Sequence, residues 1–296
     1  MILLIGVILN GVKRYILVRE KNIKLFPRWY MFRCEILDEL SYTFTFHVNR
    51  RDQINAKNKI AGEYMYVLKE SFSELVNMYA FSLAANKVAE ELEIEGEEGI
   101  SGLWVYKYRN GSYRNFIPRY FSTLDYLAFM IYELSRGELL PNIKYKEPKK
   151  VNFNQIIKAL MKSEETDKCL GWLSLDDRKH ILLILHKAFY KITEYGQEIL
   201  KRYRDIITHR YLPGIDEMTI STERDGIKTR VLNTGKLYSI SDGQNKWDHY
   251  GGPEFRFFDL IEVSKILLDN FYCMLNELSK LDVMKEVINF ESSNIT

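Results

Sequence analysis

What the chain has little of narrows its class before any motif is read. It carries only three cysteines, Cys34, Cys169 and Cys273. Their wide spacing and odd number argue against a disulfide framework and against a cysteine-based zinc site, and suit a reducing cytoplasm. They are expected to serve as small buried hydrophobes. Charge of one sign is not in excess either: Lys plus Arg total 42 against 40 for Asp plus Glu. No global positive field therefore marks a nucleic-acid partner, and any RNA contact has to come from local patches. Long hydrophobic runs are missing as well. The apolar opening, Met1 to Leu9, is too short to span a bilayer and lacks the leading positive charges of a signal peptide. It reads as a buried strand in a cytoplasmic protein with no membrane partner. The chain shows no internal repeat, low-complexity tract, P-loop, dinucleotide fingerprint or nucleophile elbow.

What is present is the composition of a folded protein, 46% hydrophobic and 28% charged over 296 residues. That length allows one large core or two smaller ones. Residues 1–50 read as an N-terminal extension of partly β structure. Ile2–Leu9 and Arg14–Val18 are β-prone, and Asn10-Gly11 between them is a hairpin signal. Trp29–His47 is rich in aromatic and β-branched residues, yet Phe32, Ile36, Leu37 and Leu40 also fit a helix, and periodicity does not decide between them.

Residues 51–285 read as a helical bundle. Ile60, Tyr64, Val67, Leu68, Phe72, Leu75, Val76, Tyr79, Leu83, Val88 and Leu92 recur at helical steps. A β-hairpin is expected at about 103–117, where Asn110-Gly111 separates LWVYKYR from SYRNFI. Helices follow at Leu124–Leu134 and Phe153–Met161, on either side of a basic connection, residues 144–150, that can touch phosphate. Ser174 and Asp177 resemble a capping box opening a long helix from about Asp176 to Tyr211. Its stripe is Leu182, Leu185, Phe189, Ile192, Ile199, Leu200, Tyr203, Ile206 and Ile207. A β-meander is expected at about 217–241, then a last helix over Phe255–Leu281 and a tail over 286–296. The fold class is thus mainly α, an up-and-down bundle of about four long helices with inserted β-hairpins.

The chemistry concentrates at the end of the long helix, where Arg204, Asp205, His209 and Tyr211 precede the stop signal Pro213-Gly214. With the apolar stripe turned inward, Arg204 and His209 edge the polar face roughly 140° apart, at about 100° per residue. Lys201, Asp205 and Thr208 lie between them. Asp205 is one turn from His209 and can orient its imidazole. A histidine beside a permanent cation suits RNA cleavage. The base takes the ribose 2′-hydroxyl proton while the cation stabilises charge growing on phosphorus, and no metal or other cofactor is required. A twofold dimer would supply a second histidine as acid.

Arg-Asp-Ile-Ile-Thr-His resembles the signature of the HEPN superfamily (higher eukaryotes and prokaryotes nucleotide-binding), and Arg210-Tyr211 extends it to R-x4-H-x-Y, similar to HEPN toxins paired with nucleotidyltransferase antitoxins. The resemblance covers about eight residues and a compatible helix layout. It implies a HEPN-like bundle, usually dimeric, acting as a metal-independent endoribonuclease in toxin–antitoxin, defence or RNA-processing systems. It also implies Arg204 and His209 as catalytic residues, Asp205 as their polar companion, and Tyr211 as a site for AMP addition by an antitoxin. The alternative is a non-catalytic HEPN-like scaffold that binds nucleotide, RNA or a partner protein.

Lys201, Arg202 and Arg210 can extend a phosphate-binding patch, or simply suit the last turn of a helix. Trp247, Asp248, His249 and Tyr250 can stack on bases or plug their loop onto the bundle. His180 and His186 are too far apart along the helix to act side by side as metal ligands and are read as structural. The implied modification has a direct check. Incubation with a candidate nucleotidyltransferase and ATP should raise the intact mass by one AMP, mapped to Tyr211 by tandem mass spectrometry; an unmodified Tyr211 counts against the toxin-type reading.

Overall fold

Three- and four-residue spacing of apolar side chains dominates the chain, and the computed structural model is accordingly mainly helical. It describes residues 2–9, 12–19, 25–49, 55–143, 151–189, 194–208, 214–216, 219–223, 226–230, 237–240 and 254–290. The chain forms two compact units: Met1–Ser41 with Asn77–Tyr113, and Tyr42–Val76 with Arg114–Thr296. This grouping departs from linear boundaries at 50 and 285, because helix α2, Ala56–Ile94, gives its first half to one unit and its second half to the other. Among the described residues, no helix is long and apolar enough to cross a membrane.

In the first unit, β1 (Ile2–Leu9) and β2 (Val12–Arg19) pair antiparallel, from Ile2 opposite Arg19 to Leu9 opposite Val12. The stretch that periodicity left open becomes helix α1, Leu25–Leu40. Its Leu25, Trp29 and Ile36 pack with Ala80, Ala84, Ala85, Val88 and Leu92 of α2 and with Trp104. The Trp29 indole donates to the carbonyl of Phe81 at 3.3 Å, so its buried N–H is satisfied. Alanines let the indoles approach the α2 backbone. They carry little of the hydrophobic signal that marks a stripe, which is why the buried face of α2 is broader than the large side chains suggest.

The expected hairpin at about 103–117 is not formed. The segment is helical instead: α3 (Glu98–Trp104), a π-helical turn over Val105–Asn110, α4 (Gly111–Tyr113), then α5 (Phe116–Leu134). Gly111 takes right-handed helical angles rather than the positive φ of a tight turn. Burial explains the override: Trp104, Arg109, Asn110, Tyr113, Phe116 and Ile117 all lie inside, at helical spacing. Asn110, which sequence marks as a turn residue, instead accepts from Arg109 Nε at 2.8 Å, and Arg109 Nη1 donates to Asn86 Oδ1 at 2.8 Å. A buried hydrogen-bonded network of this kind outweighs local turn preference.

The second unit is a helical bundle. Besides α5 and the first half of α2 it contains α6 (Phe153–Ser163), α7 (Leu175–Phe189), α8 (Glu194–Thr208) and α9 (Phe257–Leu278). The stretch read as one helix to Tyr211 is thus described as α7 and α8, with residues 190–193 and 209–213 outside the described residues. α6 packs on α5 and on α7, α7 on α9, and α8 on α5. Strand β3 (Phe46–Val48) pairs antiparallel with the later strand Ile288–Phe290, so the start of the expected tail is part of a sheet. Phe72 anchors an aromatic cluster with Tyr42, Phe44, Phe271 and Tyr272, ring centres 5.2–6.0 Å apart.

After α8 come β4 (Gly214–Ile215), a three-stranded antiparallel sheet of β5 (Thr219–Glu223), β6 (Gly226–Arg230) and β7 (Leu237–Ile240), and β8 (Glu254–Phe255). The strand paired with β3 is β9. The cysteines are not the buried hydrophobes expected: Cys34 is half-buried, Cys169 and Cys273 are exposed, and all three are free thiols.

The junction between α6 and α7 is built on two devices. Ser174 and Asp177 form the capping box: Asp177 Oδ2 accepts from Ser174 Oγ at 2.7 Å, and Ser174 Oγ accepts the Asp177 N–H at 3.0 Å. Next to it Arg178 is fully buried. Its guanidinium donates to the carbonyls of Ser163 (2.5 Å), Thr166 (2.8 Å), Lys168 (2.8 Å) and Ser174 (3.3 Å). The cation thereby collects the carbonyl-rich end of α6 and the following loop. Arg178→Leu strands these acceptors in an apolar setting and should cost about 3 kcal/mol in urea denaturation. A loss below about 1 kcal/mol would mean that water takes over the guanidinium's role.

Candidate functional site

Helix α8 sorts its residues as a half-buried helix must. Ile199, Leu200 and Tyr203 are buried, and Gly196 lies inside with them; Lys201, Arg202 and Arg204 are exposed. The face that carries Lys201, Arg202 and Arg204 is therefore turned to solvent, and Arg204 directly follows a fully buried tyrosine.

Arg204 is held rather than free-swinging. Its guanidinium carbon lies 5.4 Å from the centre of the Phe121 ring of α5, and its Nη2 is 3.5 Å from Asp205 Oδ1. Both side chains of the ion pair remain 50% exposed. At that exposure the pair contributes little to stability, and its main effect is on orientation. The cation is fixed in direction yet still reachable by an anion. Asp205, read as the partner of His209, is thus placed beside Arg204.

One aromatic residue organises the other side. Phe255 of β8 is buried, its ring 5.1 Å from that of Tyr203 and 5.6 Å beneath the Arg202 guanidinium. Phe255 also lies opposite Ile215 in the parallel pairing of β4 with β8. Asp216 then donates its N–H to the Phe255 carbonyl at 3.1 Å and accepts the Phe257 N–H on Oδ1 at 3.2 Å. The Asp216 carboxylate so serves the first turn of α9, where Arg256 at the cap position makes no side-chain cap. Asp216 adopts φ +46°, a left-handed conformation that aspartate tolerates better than most residues. The chain before and after residues 209–213 is consequently anchored on the same phenylalanine.

Of the residues singled out in the sequence, Arg204 and Asp205 come together, and Lys201 and Arg202 share their exposed helix. His209, Arg210, Tyr211, Trp247, Asp248, His249 and Tyr250 lie outside the described residues. His180 is exposed and His186 half-buried, and among the described residues no group of three or more His, Cys, Asp or Glu could hold a metal ion. The residues that sequence reading missed are Phe121, Phe255 and Asp216. Phe121 and Phe255 reach α8 from far along the chain, and Asp216 meets the distant first turn of α9, so no local pattern marks them. No protein-family model, curated protein or solved structure matches the chain.

One turn beyond Phe121 on α5 stands Asp125, an exposed residue whose carboxyl is nonetheless raised above its ordinary 3.8 by desolvation against the neighbouring protein atoms. A raised pKa means that the fold prefers the protonated form, so stability is lost as the pH climbs through the folded-state value. Asp125→Asn should therefore raise the urea midpoint at pH 7, the gain fading as the pH falls towards 3.8. An unchanged midpoint at pH 7 would show that solvent already screens this carboxylate.

Proposed function

We propose that the protein is a HEPN-type endoribonuclease that cleaves RNA by internal attack of a ribose 2′-hydroxyl. The observation that carries the reading is Arg204: a guanidinium on the exposed face of a bundle helix, oriented by Phe121 and Asp205 yet half open to solvent. His209 follows in the R-x4-H arrangement. In this reaction His209 takes the 2′-hydroxyl proton, the 2′-oxygen bonds to phosphorus, and the bond from phosphorus to the 5′-oxygen breaks. Arg204 stabilises the negative charge on the phosphoryl oxygens. The departing 5′-oxygen collects a proton, and the products end in a 2′,3′-cyclic phosphate and a 5′-hydroxyl. The acid that delivers this proton is the matching histidine of a second copy in a homodimer. Lys201 and Arg202, both exposed on α8, extend the phosphate-binding surface.

A cytoplasmic toxin or defence protein, restrained by an antitoxin acting at Tyr211, is the setting this chemistry fits. A second reading also has an observation in its favour. Arg204 is already engaged by a ring and a carboxylate, which is how a cation closes a helix end in a non-catalytic scaffold that binds nucleotide, RNA or a partner protein.

Incubating mixed cellular RNA with the protein in EDTA separates the two. The wild type should cut and leave 2′,3′-cyclic phosphate ends. His209→Ala and Arg204→Ala should each lower the rate by about a hundredfold or more. Absence of cutting across many RNAs favours the scaffold, and equal cutting by the variants places the activity elsewhere. Light scattering at active concentrations tests the dimer, and a monomer would remove the second histidine.

A further inference from the structure

A cleft of about 570 Å³ opens between the end of α5, the exposed side of α6 and the loop that leads to α7. That volume lies within the roughly 300–1,000 Å³ of small-molecule sites. Its aliphatic lining comes from Leu139, Leu140, Ile143 and Leu170, which leaves an apolar trough. Its polar edge comes from α6. The helix buries Phe153, Ile156 and Leu160, and so turns Lys158 and Lys162, one turn apart, towards the cleft. Among the described residues neither lysine is in an ion pair. Glu138, the one carboxylate among the described lining residues, is occupied across the loop, where Oε2 accepts the Gly171 N–H at 3.2 Å.

The walls are fixed before any ligand arrives. On one side successive turns run from α5, with Gly137 N–H donating to the Tyr132 carbonyl and Ile143 N–H to Leu140, while the Tyr132 hydroxyl donates to the Ile143 carbonyl at 3.3 Å. On the other side Arg178 ties down the carbonyls of Ser163 and Thr166, both of which line the cleft. Those carbonyls would otherwise repel an anion at this end of α6. Gly171 follows the lining residue Leu170 and sets the course of this loop. Its φ is +57°, and a Cβ there would stand 2.4 Å from the Ser135 carbonyl carbon, so only glycine allows the loop to lie against the end of α5.

We propose that this cleft binds a small amphipathic organic anion, with its oxyanion headgroup on Lys158 and Lys162 and its aliphatic body along Leu139, Leu140, Ile143 and Leu170. Paired ammonium groups on a rigid helix supply point charges and rotatable donors for a carboxylate or a phosphate ester. No aromatic ring stands among the described lining residues, which favours an alkyl chain over a stacked base. The site uses no residue of the RNA-cleaving constellation.

The full-length protein can be titrated with 8-anilinonaphthalene-1-sulfonate by fluorescence, followed by displacement with decanoate and with octyl phosphate below their micelle concentrations. One saturable probe site is expected, emptied by at least one of the two competitors. Which of them competes better identifies the headgroup. The double variant K158Q/K162Q should weaken binding at least tenfold with unchanged circular dichroism and urea midpoint, and K158R/K162R should restore it. Ala159→Trp, which fills the trough and keeps both lysines, should abolish binding. RNA cleavage in EDTA should be the same in all these variants. Undiminished probe binding in K158Q/K162Q or in Ala159→Trp would overturn the proposal, as would failure of both competitors to displace the probe.

Discussion

A single buried guanidinium determines how the connection between α6 and α7 can run. Arg178 sits without exposure and spends its donors on backbone carbonyls of residues 163, 166, 168 and 174. A buried cation is tolerable only when its hydrogen-bonding capacity is filled. Here the fork of the guanidinium matches a loop folded around it, so cation and loop conformation require each other. The acceptors belong to the backbone, and the side chains at 166 and 168 are therefore under little constraint from this interaction. The arginine is under a great deal.

The same junction shows how much of the fold was legible. The capping box of Ser174 and Asp177 could be read directly, because its partners are three residues apart and the pattern is local. Arg178, next to them, could not: a charged residue in the first turn of a helix ordinarily faces water. The helical nature of α2, α9 and the second half of α5 was visible in the spacing of large apolar residues. The extent of their buried faces was not, because Ala80, Ala84, Ala85 and Ala89 contribute burial without periodic signal. At about 103–117, two β-prone stretches on either side of an Asn-Gly pair pointed to a hairpin. Burial of Trp104, Arg109, Asn110 and Tyr113 on a helical period prevailed. Local turn chemistry decides only where the tertiary environment is indifferent.

For the candidate site the division is similar. That Tyr203 faces inward while Arg204 and Asp205 face solvent follows from helix geometry, and sequence alone reaches it. That Arg204 leans on Phe121, and that Phe255 braces both Tyr203 and Ile215, depends on residues roughly forty to eighty positions away. Such long-range contacts make a cation directional, and nothing in the local pattern of α8 announces them. The lysine-edged cleft was invisible for the same reason, as its walls come from three separate segments.

Cys169 lies in the loop that Arg178 holds in place, next to Leu170 of the cleft wall, and its thiol is exposed. It offers a native attachment point for an environment-sensitive fluorophore, placed beside the trough by a rigid stretch of backbone. Cys273 on α9 is also exposed and would need replacement by serine, whereas half-buried Cys34 should react more slowly. With Cys273 removed, one maleimide turns the loop between α6 and α7 into an optical reporter of whatever enters the cleft.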